Sequence, residues 1–312
     1  MNDLGKTSVN RYLVTEDAHG QRIDNYLLRL LKGVPKSHIY RILRSGEVRI
    51  NSGRIGADYR LKTGDLLRVP PVRIAEQPAR STPPFNAGLE QAVIFEDEHL
   101  LVLDKPSGMA VHGGSGVSFG VIEQLRSQRP HARFLELVHR LDRDTSGLLL
   151  LAKKRVALTG LHEQLREGRV NKHYLALVNG LWKNHKQIVR LGLRKYVLAS
   201  GERRVSVDPE GQSAHTIFEL QQTWAGYSLL RAELKTGRTH QIRVHLAHLG
   251  FPITGDDKYG DFELNRRVAK LGLKRMFLHA HRMVFRHPAN GDVVALEAPM
   301  PLPLKMFLET LT

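Results

Sequence analysis

The sequence predicts a two-domain α+β protein: a small unit of two helices against a short sheet, then a larger domain on a mixed, mostly antiparallel sheet. Three observations lead there. The chain has 312 residues, too many for one ordinary compact domain and about right for two. Helical periodicity is clear near the front and in only a few later stretches. Strand-like runs outnumber the helical ones in the second part and do not alternate one for one with them, which argues against a doubly wound parallel sheet.

The elements follow in chain order. Ile23, Tyr26, Leu27, Leu30 and Leu31 fall at helical spacing, and Gly33-Val34-Pro35 breaks the pattern. Ser37 is the expected N-cap of a second helix whose buried face carries Ile39, Ile42 and Leu43 and which Gly46 ends. Val48–Asn51 alternates like a strand and turns at Ser52-Gly53. A second turn at 60–65 precedes a closing strand, Leu66–Val69. The first domain is thus placed at 13–72. Residues 73–90, rich in Pro, Ala and polar types, read as a semi-rigid linker, and 91–312 as the second domain. Its expected strands are Val93–Phe95, Leu100–Leu103, Leu148–Ala152, Tyr174–Val178, His215–Leu220 and Tyr227–Leu234. Its expected helices lie at 156–167, within 240–249 and near 302–311. Residues 183–212 carry no readable periodicity.

Composition narrows the function. Lys and Arg number 47 against 31 Asp and Glu, a formal net charge of +16. Residues 1–80 hold 15 basic and 8 acidic residues, a surplus of 7 in a quarter of the chain. A surplus of this kind attracts a polyanion at long range. There is no cysteine, so disulfides, thiol nucleophiles and Cys-based zinc sites are excluded. No apolar run reaches membrane-spanning length, and MNDLGKTSVN lacks the apolar centre of a signal peptide. A cytoplasmic location is the expectation.

Three motifs in the second part concentrate chemistry. LVLDKPSGMAVHGGSG at 101–116 lacks the Gly-Lys-Ser/Thr of a phosphate loop, and Gly114, Gly116 and Gly120 miss the dinucleotide spacing by one residue, so it reads as a structural turn. HRLDRDTSG at 139–147 packs two carboxylates and two arginines beside an apolar strand; by composition alone it is equally a surface loop of ion pairs. KTGRTHQIRVHLAHLGFPITGD at 235–256 carries His240, His245 and His248, but the pattern lacks a His-Glu-x-x-His arrangement, and no metal site is expected.

These motifs carry a resemblance. HRLDRDTSG is similar to the signature of the ribosomal large-subunit family of pseudouridine synthases, His-Arg-Leu-Asp-x-x-Thr-Ser-Gly, at all seven specified positions. LDKPSGMAVHGG, KHYLALV at 172–178 and TGRTHQIRVHLAHLGFPITGDDKYG at 236–260 resemble three further motifs of that family, in the same order. Asp104 departs from the pattern, where a neutral residue is expected. In the first domain, GQRIDNYLLRLL, SHIYRILRSGEVRIN and LKTGDLLRVP resemble the alpha-L RNA-binding domain.

The resemblance implies a pseudouridine synthase fold and the isomerisation of specific uridines in structured RNA, 23S ribosomal RNA first. It implies Asp142 as the catalytic carboxylate, Arg243 as the cation that keeps it ionised, and Arg140 as the side chain that fills the place of a flipped-out base. Tyr174 matches the aromatic stacking on the uracil, and Ile242 an apolar pocket wall. In the first domain it implies RNA contacts from Lys36, Arg41, Arg44 and Arg49. One such arginine is as easily a solvated charge; four together, with Arg29 and Lys32 nearby, point to phosphates. Because the reaction only isomerises, no cofactor and no metal are expected, and a monomer is the default. Two competing readings are a non-catalytic RNA-binding assembly factor and a nucleoside or glycoside hydrolase. The first has no use for the HRLD and arginine motifs. The second usually needs two separated carboxylates, and Asp142 and Asp144 are close neighbours in the chain.

Overall fold

A computed structural model describes residues 9–72, 86–114 and 117–311, and the chain divides into two compact units, 1–82 and 83–312. In the first unit the strand β1 (Asn10–Leu13) is followed by helices α1 (Ile23–Leu30) and α2 (Lys36–Arg44) and strands β2 (Arg49–Ile50), β3 (Gly53–Arg54) and β4 (Leu66–Val69). The antiparallel sheet has the order β1-β4-β2-β3. Ile23, Leu27, Ile39, Ile42 and Leu43 form one core with Val48, Ile50, Leu67 and Val69. This is the two-helix, small-sheet unit the periodicity predicts. One detail differs: α2 starts at Lys36, two residues earlier than a Ser37 cap requires. Pro35 is the N-cap, and its carbonyl accepts from the N–H groups of His38 and Ile39 at 3.0 and 3.2 Å. The ring's fixed φ already sets up the first turn.

The second unit opens with α3 (Ala87–Gln91), where the composition reads as linker. Asn86 caps α3 through Gly88 N and holds Gln124 and Gln128, so 86–90 belong to the packed domain. The remaining linker positions, 73–85, lie outside the described residues. Strands β5 (Val93–Glu96) and β6 (Leu100–Lys105), helix α4 (Val121–Gln128), strands β7 (Glu136–Leu137) and β8 (Ser146–Ala152), helix α5 (Arg155–Arg166) and strand β9 (Asn171–Asn179) follow. Then come β10 (Lys186–Val197), β11 (Arg203–Val207), β12 (Gln212–Trp224), β13 (Tyr227–Leu234), α6 (Gln241–His248), α7 (Phe262–Lys270), β14 (Leu278–Arg286), β15 (Val293–Glu297) and α8 (Leu302–Glu309). The sheet runs β11-β10-β12-β13-β9-β14-β8-β6-β5, with β15 on β14 and β7 on β8. Among the described residues only the β14–β8 pairing is parallel, so the mixed, mostly antiparallel expectation is met.

Both faces of the central strands are covered. Leu149 and Leu151 pack with α4 and α6, and Leu148 and Leu150 with α5 and with Met283 and Phe285. Hence the run of four leucines is buried throughout. Residues 183–212, unreadable in the sequence, form β10 and β11. Of β10 only Val189 and Leu193 are buried, with Leu191 half-buried between them, so the apolar alternation is confined to five residues of a twelve-residue strand that is otherwise mostly exposed.

Candidate active site

The HRLD loop is held from three sides. Thr145 N donates to Asp142 O at 3.2 Å, closing a turn at the entry to β8. His139 Nε2 accepts from Leu150 N at 3.1 Å, tying the loop's start to the same strand. On the third side stands the KPSG turn after β6. Lys105, fully buried, donates through Nζ to the carbonyls of Pro106, Met109 and Arg143 at 2.8, 2.8 and 2.9 Å. Gly108 N and Ser107 Oγ donate to Arg143 O and Asp144 O at 2.9 and 2.7 Å. The glycine-rich stretch thus starts as a structural clamp, as read. Burial pushes the Lys105 ammonium down to about 7 and raises the half-buried Asp104 carboxyl. The acid at the position expected to be neutral is therefore shifted towards its neutral form.

Gly147 lets the clamp reach the sheet. At φ +108° its hypothetical Cβ would lie 2.3 Å from Ala280 O on β14, so only glycine allows β8 and β14 to run side by side here.

The opposite wall is the 235–240 loop and α6. Gln241, buried, accepts from Thr236 Oγ1 at 2.7 Å and Arg238 N at 3.0 Å and so fixes the loop. His240, the N-cap of α6, sits in the left-handed region at φ 54°. The helix then aims Arg243 inward. Its guanidinium is bidentate on Asp256, Nε and Nη2 each at 2.7 Å, and Nη1 donates to Asp142 Oδ2 at 3.0 Å. The Tyr259 ring lies 5.1 Å from its central carbon. Asp256 also accepts from the N–H groups of Lys258 and Tyr259 at 2.8 and 3.0 Å. Burial opposes the charge of Asp256, and the bonds and charge of Arg243 with those two N–H groups outweigh it, leaving its carboxyl below the usual range. Arg243 therefore stays charged and has one arm left for Asp142. His240 Nε2 is 3.8 Å from the other oxygen of Asp142. Tyr259 OH accepts from Val205 N at 3.0 Å and shares a hydrogen bond with His240 Nδ1 at 2.8 Å.

A cleft of ≈ 730 Å³ opens over this pair. Arg140, Asp142, Tyr174, Ile242 and Arg243 all line it. Tyr174 and Ile242 are buried and Arg140 is exposed. Asp142 is a quarter exposed; Asp144 instead pairs with Arg143. The five residues named from the sequence meet at one place. Sequence reading missed Asp256, Tyr259, Lys105 and Lys172, although each lies inside or beside a quoted motif. His240 and His245 do not converge on a metal: His245 Nδ1 is bonded to Thr216 Oγ1 at 3.0 Å. Among the described residues the one three-donor group is Asp97, His99 and His287, outside the cleft lining, with His287 Nε2 bonded to Asp97 at 2.8 Å.

In the first unit Lys36, Arg41, Arg44 and Arg49 are all exposed, and none has a carboxylate within ion-pair distance among the described residues. The sheet register adds what the sequence reading missed. Arg11 lies opposite Arg68, Arg68 opposite Arg49, and Arg49 opposite Arg54, a rung of four arginines across all four strands. Directly opposed like charges destabilise a sheet. Here Arg68 and Arg49 lean on the carbonyls of Glu47 and Gly46 at 2.6 and 3.1 Å, and no acid among the described residues pairs with them.

The fold and this cleft define an RNA-modifying class: the chain belongs to the RNA pseudouridylate synthase family, whose model matches residues 99–248 and so spans both walls, while an S4 domain matches residues 21–67. It is similar over its length to two proteins named ribosomal large subunit pseudouridine synthase C. That of Haemophilus influenzae is 53% identical over 308 residues, 98% of this chain and 96% of that one. That of Escherichia coli K12 is 55% identical over 309 residues, 97% of each. Among solved structures, human RNA pseudouridylate synthase domain containing 4 aligns with a TM-score of 0.59 at 25% identity, covering 71% of this chain and 93% of that one.

Proposed function

We propose that this enzyme isomerises specific uridines of large-subunit (23S) ribosomal RNA to pseudouridine, with Asp142 as the catalytic carboxylate. The observation that carries the reading is the Asp142–Arg243 pair at 3.0 Å in an open cleft, with Arg243 anchored on Asp256. An accessible carboxylate paired with a fixed cation can act on the sugar or the base. In the reaction the N1–C1′ bond breaks, C5–C1′ forms, and a proton leaves C5 while N1 gains one. Nothing is lost, so no cofactor and no metal are required. Tyr174 stacks on the uracil, Ile242 supports it from the apolar wall, and Arg140, at the open rim, takes the place of the flipped base. The walls of the cleft hold the detached ring for its turn.

The ribosomal target follows from the names of the full-length relatives. Residues 13–72 serve as the RNA-binding module and 86–312 as the catalytic domain. Lys36, Arg41, Arg44 and Arg49, extended by the arginine rung, supply phosphate contacts. The protein acts as a monomer in the cytoplasm. No helix among the described residues is long and apolar enough to cross a membrane. The test is site mapping of pseudouridine in ribosomal RNA from cells with and without the gene: uridines that stay unmodified only in its absence are its targets, and an unchanged pattern overturns the reading.

A further inference from the structure

Lys172 is a cation that the site as described does not use. It lies on β9 two residues before Tyr174, and the two share the buried face of the strand. It is nine-tenths buried, yet its ammonium makes no hydrogen bond or ion pair with any described residue. Burial alone lowers its pKa, with no carboxylate raising it. Nζ lies 3.8 Å from where a Cβ on Gly237 would be, against the loop that forms one wall, and Lys172 lines the same cleft as Arg140 and Asp142.

The stem is buried while Nζ, which no described residue pairs with, faces the cleft, open to an anion that enters. The cleft lining contains one carboxylate, Asp142, already bonded to Arg243. That leaves the ammonium available to what enters. Of the acceptors a nucleotide offers, the uracil carbonyls and the 2′-hydroxyl are neutral, and only the phosphate carries a formal charge. The lining of the same cleft also includes Arg166 and Arg238, both exposed and basic, suited to further backbone contacts.

Resting on the pseudouridine synthase reading, we infer that Lys172 binds a phosphate flanking the target uridine and so sets the depth at which the flipped nucleotide stops over Asp142. It is a positioning residue; it does not touch the reacting atoms.

The test uses the full-length protein and a synthetic stem-loop around a mapped target uridine, unmodified or with a neutral methylphosphonate at the phosphate on its 5′ or 3′ side. Conversion of the unmodified RNA by the wild-type protein establishes the activity independently of Lys172. One of the two methylphosphonates is expected to lower wild-type kcat/KM about 10- to 100-fold, the range for a charge-assisted hydrogen bond. Lys172→Met should show the same loss on unmodified RNA, no further loss on that methylphosphonate, and an unchanged melting temperature; Lys172→Arg should recover most of the activity. Losses that multiply, or a wild-type protein indifferent to both methylphosphonates, overturn the inference. The second result does so whether or not the variant folds.

Discussion

Single atoms in the cleft separate residues that look alike in the sequence. Asp142 and Asp144 sit two positions apart in HRLDRD, but only Asp142 meets Arg243. Asp142→Asn is expected to abolish turnover with RNA affinity nearly intact, because it removes a charge and little shape. Asp144→Asn should remain active. Measured turnover and binding of the two variants decide between them. Asp256→Asn should be both slow and unstable, since breaking a buried charge pair costs about 3–5 kcal/mol; denaturant titration reads the loss. The buried histidines give a pH signature. Burial pushes His245 and His279 down to about 4. Between the ordinary histidine pKa, about 6.5, and 4, the unfolded chain binds more protons than the fold, so stability rises with pH across that window. Acidification from pH 6.5 to 4 should therefore cost on the order of 3 kcal/mol per histidine. Melting curves across the window check it, and a flat profile contradicts it.

Elements place these residues. The start of β8 depends on Gly147, whose positive φ and contact with Ala280 O leave no room for a side chain. Gly147→Ala should destabilise by more than about 2 kcal/mol, through strain and through separation of β8 from β14. It should also lower activity in the fraction that folds, because the HRLD loop is anchored on that strand. Gly160→Ala, where a Cβ meets only the Pro288 ring at 3.4 Å, should be tolerated. The helices α1 and α2 were legible because their apolar faces repeat at i, i+3 and i+4. The sheet β10–β11 was not: its strands carry charge on both faces and bury few residues. The arginine rung was equally hidden, because Arg11, Arg49, Arg54 and Arg68 meet only once four strands are in register.

At the scale of the whole molecule, affinity and chemistry are expected to belong to different units. A protein starting at Pro83 retains the Asn86 cap of α3 and every residue of the cleft. It should fold on its own and modify RNA poorly at low enzyme concentration. Full-length binding should weaken steeply with salt, the slope shrinking by roughly 0.7–0.9 for each phosphate contact removed. Equal affinity and site choice with and without the first unit would show its basic residues to be ordinary solvated surface. Activity should persist in excess EDTA without nucleotide or redox cofactor; loss on chelation, restored by one metal ion, would contradict a purely isomerising site.

The sequence by itself determined the two-unit order, the apolar faces of the helices, the basic first unit and, through the motif resemblance, Asp142, Arg140, Tyr174, Ile242 and Arg243. These are local patterns or residue types fixed at short spacing, and they survive in one dimension. Only the tertiary structure decided which groups support them. Asp256 reaches Arg243 from the segment after α6, Lys105 ties β6 to a loop 38 residues away, and Lys172 faces the cleft without a partner among the described residues. Whether a charge is braced, clamped or left waiting for a ligand depends on burial and on partners distant in the chain, and neither is a property of the residue's own neighbourhood in sequence.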